Sequence, residues 1–279
     1  MRLFKNVVLG GFASLSLAFA AFADQPKPWQ LNLQEAATEN MSRIVQFNDF
    51  LLIIMAGISL VVLGLMLFVM FRFRAGRNPN PSKTTHNTLV EVVWTVLPIL
   101  ILIVIAVPSF RLLYFQRVLP EAEMTIKAVG YQWYWGYEYP DHGDFAFDSY
   151  MLDDANRGDQ PRLLATDTAM VVPVDTTIRV VVTGADVLHS WAMPAFGLKM
   201  DAVPGRLNEI WFKAEKTGTF YGQCSELCGI RHAFMPIRVD VVEREEFDRW
   251  VEEAREKYAR LDSRKIADAK PAISTKTVN

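Results

Sequence analysis

Two long apolar stretches dominate the first part of the chain. Residues 50–71 and 92–110 contain no charged side chain, and each is long enough to cross roughly 30 Å of hydrocarbon as an α-helix. The pattern therefore predicts two transmembrane helices, at about residues 48–72 and 90–114, that form a hairpin. The segment between them carries only basic charges, at Arg72, Arg74, Arg77 and Lys83. The positive-inside rule places this segment in the cytoplasm, so both ends of the hairpin face the exterior.

The first 23 residues have the features of a secretory signal peptide. Arg2 and Lys5 precede an apolar stretch at residues 7–21, and residues 21–23 have the small-x-small pattern of a cleavage site. We expect cleavage before Asp24. An uncleaved anchor helix is the alternative, but the apolar stretch is short for a membrane span.

After Pro120 apolar and polar positions alternate, and β-branched and aromatic residues become common. Turns rich in Pro, Gly and Asp separate the short alternating segments. The pattern predicts an all-β exterior domain, a sandwich or a small barrel, over residues 118–245. The predicted strands cover residues 124–139, 169–174, 177–183, 208–214, 218–221 and 236–242.

The pattern changes again after the last predicted strand. From Glu243 to Arg264 the composition is charged and favours a helix, with a thin apolar stripe formed by Phe247, Trp250, Val251 and Tyr258. The last dozen residues have the composition of a disordered tail. The chain thus divides into a signal peptide (1–23), a segment with two transmembrane helices (24–117), a β-domain (118–245) and a charged helix with a tail (246–279).

Charge is unevenly distributed along the chain. Of the 29 basic and 31 acidic residues, residues 1–117 hold ten bases and five acids, which leaves nineteen bases and twenty-six acids in residues 118–279. The exterior part is therefore acidic, which favours a basic protein partner and argues against nucleic acid.

Both cysteines of the chain lie in one short segment that is rich in soft metal ligands. Within twelve residues this segment contains Cys224, Cys228, His232 and Met235. Thiolate, imidazole and thioether donors together select copper over hard cations. A further strong donor has to come from elsewhere, and His189, where a predicted strand gives way to a loop, is the best remaining histidine.

Other interpretations of this segment are open. A structural zinc site would leave Met235 without a role. A Cys-His nucleophile would use only one of the cysteines. A disulfide between Cys224 and Cys228 is possible in an oxidising compartment. A mononuclear blue-copper site uses a single thiolate, so the paired cysteines favour two metals that share them.

Five motifs within residues 132–235 resemble those of subunit II of cytochrome c oxidase in its bacterial form, and the resemblance covers roughly residues 40–250. They are the ligand-rich segment 222–235 and the segments 132–135 (QWYW), 147–151 (FDSYM), 186–191 (DVLHSW) and 197–206 (GLKMDAVPGR). The resemblance implies that the transmembrane hairpin carries a cupredoxin-like Greek-key β-barrel. It also implies a dinuclear copper centre, CuA, bridged by Cys224 and Cys228. The terminal ligands would be His189, His232, Met235 and the backbone carbonyl of Glu226.

The same resemblance implies roles for residues around the centre. The Glu226 side chain would bind a magnesium ion shared with subunit I. Trp133 would receive electrons from cytochrome c, although an aromatic stripe taken alone more often means packing. Glu91 would lie at the mouth of a proton-uptake pathway, although a solvated interfacial acid is the simpler interpretation. The acids expected to dock the cytochrome are Glu138, Asp141, Asp144, Asp148 and Asp186.

The sequence therefore predicts the electron-entry subunit of a proton-translocating oxidase in the bacterial inner membrane, with its N-terminus and copper domain in the periplasm. Its partners would be the haem-bearing subunit I, other oxidase subunits, a cytochrome c and membrane lipid, but no nucleic acid. Oxygen reduction would belong to subunit I. The alternative is a metal-free structural subunit, as in the related quinol oxidases, but here every ligand position is filled.

Overall fold

The computed structural model describes residues 25–268 of the protein, with side chains to residue 258. The predicted signal peptide and nearly all of the predicted tail lie outside the described residues. The described part of the chain forms a helical hairpin, a β-domain and a C-terminal helix.

Helices α1 (Glu39–Arg72) and α2 (Thr88–Arg117) form the hairpin and contact each other. Both helices are long and apolar enough to cross a membrane. Most of their apolar side chains are exposed in the isolated chain, as expected of surfaces that meet lipid or other membrane helices. The predicted hairpin is confirmed.

Helix α1 begins earlier than the apolar pattern predicts, at Glu39 and not near residue 48. Thr38 caps the helix by accepting a hydrogen bond from the amide of Met41. Asn40 and Met41 in the first turn are buried, and the Asn40 amide donates to the carbonyl of Gly197 in the β-domain at 2.9 Å. The apolar pattern marks only the part of a helix that lies in the hydrocarbon layer. It therefore does not predict the first turn of α1, which contacts the β-domain.

Ten strands form the β-domain. A five-stranded sheet has the order β3-β2-β1-β5-β8, a three-stranded sheet has the order β4-β10-β9, and β6 pairs with β7. Side chains from all three sheets share one hydrophobic core, which confirms the predicted all-β domain, a sandwich or a small barrel. The strands are β1 (Met124–Tyr131), β2 (Tyr134–Tyr139), β3 (Phe145–Ser149), β4 (Met170–Pro173), β5 (Thr177–Gly184), β6 (His189–Met193), β7 (Leu198–Ala202), β8 (Asn208–Lys213), β9 (Gly218–Gln223) and β10 (Pro236–Val242).

The single strand predicted over residues 124–139 is wrong. The chain reverses at Gln132 and Trp133, which are joined by a cis peptide bond, and β1 pairs antiparallel with β2. Neither residue is a common turn former, so the sequence carries no signal for this reversal. The aromatic residues of β2 that are fully buried are Trp135, Tyr137 and Tyr139.

Helix α3 (Arg244–Asp268) follows β10 and packs against β3 and β4. The predicted apolar stripe is confirmed: Phe247, Val251 and Tyr258 are buried, and Trp250 packs against the core. The rings under the helix belong to Tyr139, Phe145 and Phe147.

Candidate metal centre

The ligand-rich segment forms the loop between β9 and β10. These strands pair antiparallel, with Gln223 opposite Pro236, so the ends of the loop are held together. The amide of Cys224 donates a hydrogen bond to the carbonyl of Met235 at 3.3 Å. The strand pairing therefore brings together a cysteine and a methionine that lie at opposite ends of the loop.

The two cysteines are buried and do not form a disulfide. Their sulfurs lie 3.9 Å apart, nearly twice the length of an S–S bond. Two thiolates that each bind one ion at about 2.3 Å can be at most about 4.6 Å apart. The separation is therefore short enough for both sulfurs to contact the same metal ion.

His189 begins β6, and its side chain is fully buried beside the loop. Nε2 lies 2.8 Å from Oδ1 of Asp186, whereas Nδ1 has no hydrogen-bond partner. The ligand atoms of His189, Cys224 and Cys228 all lie within 4.8 Å of one another. A carboxylate that fixes one imidazole nitrogen while the other stays open is typical of metal-binding histidines.

The remaining donors surround the sulfurs. Sγ of Cys228 lies 3.6 Å from Nδ1 of His232 and 3.5 Å from Sδ of Met235. Sγ of Cys224 lies 3.3 Å from the carbonyl oxygen of Glu226. Two thiols, two imidazoles and a thioether form a soft donor set, which fits copper better than a hard cation.

The two thiols differ in acidity. Burial alone would raise the pKa of Cys224, but the His189 imidazole and backbone hydrogen bonds at Glu226 and Ser190 outweigh it and lower the pKa to about 7. Burial and the neighbouring charge of Cys224 raise the pKa of Cys228 to about 12. The protein alone therefore opposes a second thiolate, and a bound cation would be needed to hold both.

The turn between β1 and β2 lies directly against this loop. Nε1 of Trp133 donates to the carbonyl of Cys228 at 3.2 Å, and Nε2 of Gln132 donates to the same oxygen at 2.8 Å. Gly229 has a φ of +120°, and a Cβ there would lie 3.0 Å from Cζ2 of Trp133. The sequence analysis did not single out Gln132 or Gly229, although each is adjacent to a candidate site residue.

Two family models match the chain, those of the transmembrane domain of cytochrome c oxidase subunit II over residues 26–112 and of its periplasmic domain over residues 124–242. The chain belongs to the cytochrome c oxidase subunit II family. It is 50% identical to the probable cytochrome c oxidase subunit 2 of Rickettsia bellii over 268 residues, which are 96% of this chain and 99% of that protein. It is 45% identical to cytochrome c oxidase subunit 2 of Cereibacter sphaeroides over 289 residues, which cover 94% of each chain.

A crystal structure of the periplasmic domain of subunit II of cytochrome oxidase of Bradyrhizobium japonicum is also similar to this chain. The identity is 64%, the match covers 50% of this chain and 99% of that one, and the TM-score is 0.48.

Membership of the subunit II family confirms the predicted fold class, a transmembrane hairpin followed by a cupredoxin-like β-domain. The chain is therefore a subunit of cytochrome c oxidase, an oxidoreductase, and its membership implies subunit I as a partner. It is a membrane protein with a C-terminal soluble domain. Its cluster of histidine and cysteine side chains could bind copper.

The predicted docking acids of this subunit II chain do not lie together. Asp148 pairs with Gly136 on β2, near the turn that holds Trp133. Asp141 and Asp144 belong to the turn at the other end of β2, about 20 Å away along a six-residue strand. Sequence proximity to Trp133 therefore overstates how close these two acids are to it.

The other two predicted docking acids, Glu138 and Asp186, also have partners within the domain, as do Asp141 and Asp148. Glu138 forms an ion pair with Lys127 at 2.9 Å. Asp186 lies beside the metal cluster, and its carboxylate accepts hydrogen bonds from the amides of Gln132 and Val187, both at 2.7 Å, in addition to its contact with His189.

The two predicted glutamates occupy different ends of the molecule. The Glu226 side chain is partly exposed on the loop between β9 and β10 (residues 224–235), which we call the metal loop. Glu91 lies in the first turn of α2, where its carboxylate accepts a hydrogen bond from the amide of Asn87 at 3.2 Å. The structure thus gives Glu91 a local part in capping α2, at the end of that helix away from the β-domain.

Proposed function

We propose that this chain is the electron-entry subunit of its oxidase, which accepts electrons from a cytochrome c at a dinuclear copper (CuA) centre and passes them to haem in subunit I for reduction of oxygen to water. One observation carries the proposal: His189 from β6 meets Cys224 and Cys228 from the β9–β10 loop in one buried cluster. Two buried free thiols beside a buried imidazole are the donors that a soft metal ion such as copper binds.

In this proposal two copper ions would be held by the thiolates of Cys224 and Cys228, and the further ligands would be His189, His232, Met235 and the backbone carbonyl of Glu226. When bound, a copper pair of this kind shares one electron between two ions and so exchanges it with little change in geometry. The chain supplies rigidity, because its donors lie at strand ends or in a loop closed by strand pairing. Asp186 keeps the His189 ring oriented.

Trp133 is the proposed electron entry point. Its ring is partly exposed, and its indole nitrogen is hydrogen-bonded to the carbonyl of Cys228, a proposed bridging ligand. The exposed edge can meet a partner while the buried edge touches the metal loop. Glu138, Asp141, Asp144, Asp148 and Asp186 would attract the basic face of the cytochrome, with Asp148 closest to the entry point among the four on the β2–β3 hairpin.

The remaining assignments concern the complex. The Glu226 carboxylate would bind magnesium together with subunit I, because carboxylate oxygens are suitable ligands for a hard cation. Glu91 would lie at the entrance of a proton-uptake path, on the cytoplasmic side. The β-domain would face the periplasm, and other oxidase subunits and lipid would cover the exposed helices.

The proposal is tested by copper analysis and electron paramagnetic resonance of the full chain in detergent, after reconstitution with copper. We expect two coppers per chain and a hyperfine pattern from one electron shared by two equivalent nuclei. Zinc, or a signal from isolated copper ions, would contradict the proposal. Absence of any metal would favour the metal-free structural subunit.

The first prediction concerns Cys228→Ser, which removes one bridge. We expect the shared-electron spectrum to be lost while far-ultraviolet circular dichroism stays unchanged, because the β-sheets do not depend on the thiol. Ser225→Ala, an exposed change in the same loop, is the control and should keep the spectrum. A variant at Cys228 with unaltered copper content and spectrum would rule out the bridging role.

A further inference from the structure

A groove of about 320 Å³ lies between α1 and α2, near the ends that adjoin the β-domain. Part of its lining is polar or basic and part is apolar. The lining residues are Arg43, Gln46, Phe47 and Phe50 on α1, and Pro108, Arg111 and Leu112 on α2. No acidic side chain is among them.

On α1, Arg43 and Gln46 precede the apolar Phe47 and Phe50 along the groove. On α2, Pro108 lies on the membrane side of Arg111, and Leu112 lies on the side of the β-domain. Phe50 begins the uncharged stretch of α1, and Arg111 directly follows the uncharged stretch of α2. Arg43 precedes Phe50 by about 10 Å along the helix. The groove therefore runs from the edge of the hydrocarbon layer through the headgroup region of the bilayer, whose thickness is about 5–8 Å on each side.

The two arginines differ in how their charge is balanced. Arg43 pairs with Glu39 at 2.6 Å and lies over the ring of Phe115, 3.9 Å from its centroid. Within the described part of the chain, Arg111 has no carboxylate partner. The basic part of the groove thus retains about one positive charge, fixed beside an apolar wall.

We infer that this groove binds an anionic phospholipid, with its phosphate at Arg111 and Gln46 and the start of an acyl chain against Phe50 and Pro108. A guanidinium matches phosphate oxygens in geometry and charge. Basic pockets between transmembrane helices are suited to anionic headgroups. The apolar wall selects a lipid over free phosphate, because free phosphate gains nothing from it.

The test uses the intact oxidase in detergent and native mass spectrometry, with phosphatidylglycerol or phosphatidylcholine of identical acyl chains as probes. We expect wild type to retain one more phosphatidylglycerol than Arg111→Gln, or to bind it about five-fold more tightly. Phosphatidylcholine should bind equally to both. Arg111→Lys should restore much of the difference, since it keeps the charge.

Arg117→Gln is the matched control, because Arg117 lies on the same helix end but outside this groove. It should bind phosphatidylglycerol like wild type. Three results would overturn the inference: equal lipid binding by wild type and Arg111→Gln, loss of bound lipid in millimolar inorganic phosphate, or cross-links from position 112 to subunit I in place of lipid. The copper spectrum of each variant reports folding and is independent of the outcome.

Discussion

At the scale of single residues, Asp186 connects parts of the candidate metal centre that are far apart in the sequence. One carboxylate oxygen contacts Nε2 of His189 and accepts from the amide of Val187, and the other accepts from the amide of Gln132. Burial alone would raise the pKa of Asp186, but these hydrogen bonds outweigh it and the pKa is lowered. The carboxylate thus stays ionised and ties the tryptophan turn to the metal-facing histidine.

Asp186→Asn is predicted to weaken copper binding by about 10- to 100-fold, because an amide cannot accept all three hydrogen bonds and no longer fixes the ring. Titration against a copper chelator measures this. Asp144→Asn removes the same charge from an exposed position and should leave copper affinity unchanged. If both variants bind copper like wild type, Asp186 has no positioning role and acts only in docking.

Gly229 directly follows Cys228, and both its backbone conformation and its surroundings require a glycine. At its φ of +120°, a side chain would be strained and would press on Trp133. Glycine lets the loop pass close to the indole while the carbonyl of Cys228 accepts from it. The contact between the proposed entry point and the metal loop therefore depends on the absence of a side chain at this position.

At the scale of elements, α3 completes the hydrophobic core at one side of the β-domain. The Phe247 ring packs edge-on against His142 and beside Trp250, with centroid distances of 5.2 and 5.9 Å. Trp250 in turn contacts Tyr139, at the end of β2 away from the metal loop. These contacts give α3 a stabilising role in the β-domain.

Phe247→Ala is predicted to lower the free energy of unfolding by about 3–5 kcal/mol, because it leaves a cavity under a fully buried ring. Urea unfolding followed by tryptophan fluorescence measures the change. Glu253→Ala, an exposed position on the same helix, should change the free energy by no more than about 0.5 kcal/mol. Equal stabilities of wild type and Phe247→Ala would show that α3 is not part of the core. The copper spectrum of the folded Phe247→Ala variant should be unchanged.

At the scale of the whole molecule, the charge asymmetry follows the membrane topology. The cytoplasmic loop predicted between the helices is basic, and the residues after α2 are acidic. By the positive-inside rule this arrangement predicts that the loop is cytoplasmic, and the excess of acids in the β-domain would favour a basic partner. Long-range attraction of this kind weakens as salt shortens the screening distance.

Asp148→Asn is predicted to slow oxidation of a basic cytochrome c more than Asp144→Asn does, and most strongly at low salt. The screening distance is about 10 Å at 0.1 M salt, so at that concentration an acid near Trp133 should matter more than one about 20 Å away along β2. Initial rates of the oxidase complex across ionic strengths measure this. If the oxidation rates of the two variants depended equally on ionic strength, docking at the tryptophan turn would be contradicted.

The sequence by itself determined the local features of this protein. Uninterrupted apolar stretches specify membrane helices, alternation specifies strands, and the spacing of Cys224, Cys228, His232 and Met235 keeps four soft donors within one loop. Such features depend on neighbouring residues and can be read from periodicity and ligand chemistry. His189 is indicated only because few other histidines remain and because of the family resemblance, since no spacing rule links it to the loop.

Only the tertiary structure decided which distant residues meet. The pairing of β9 with β10 closes the metal loop, and Asp186 fixes both His189 and the Gln132–Trp133 turn beside it. The register of β2 with β3 divides the predicted docking acids into near and far positions, and the contact of α1 with α2 leaves a charged groove between the two helices. Within the β-domain, burial of one shared core brings together segments that are far apart in the chain, which local sequence patterns do not encode.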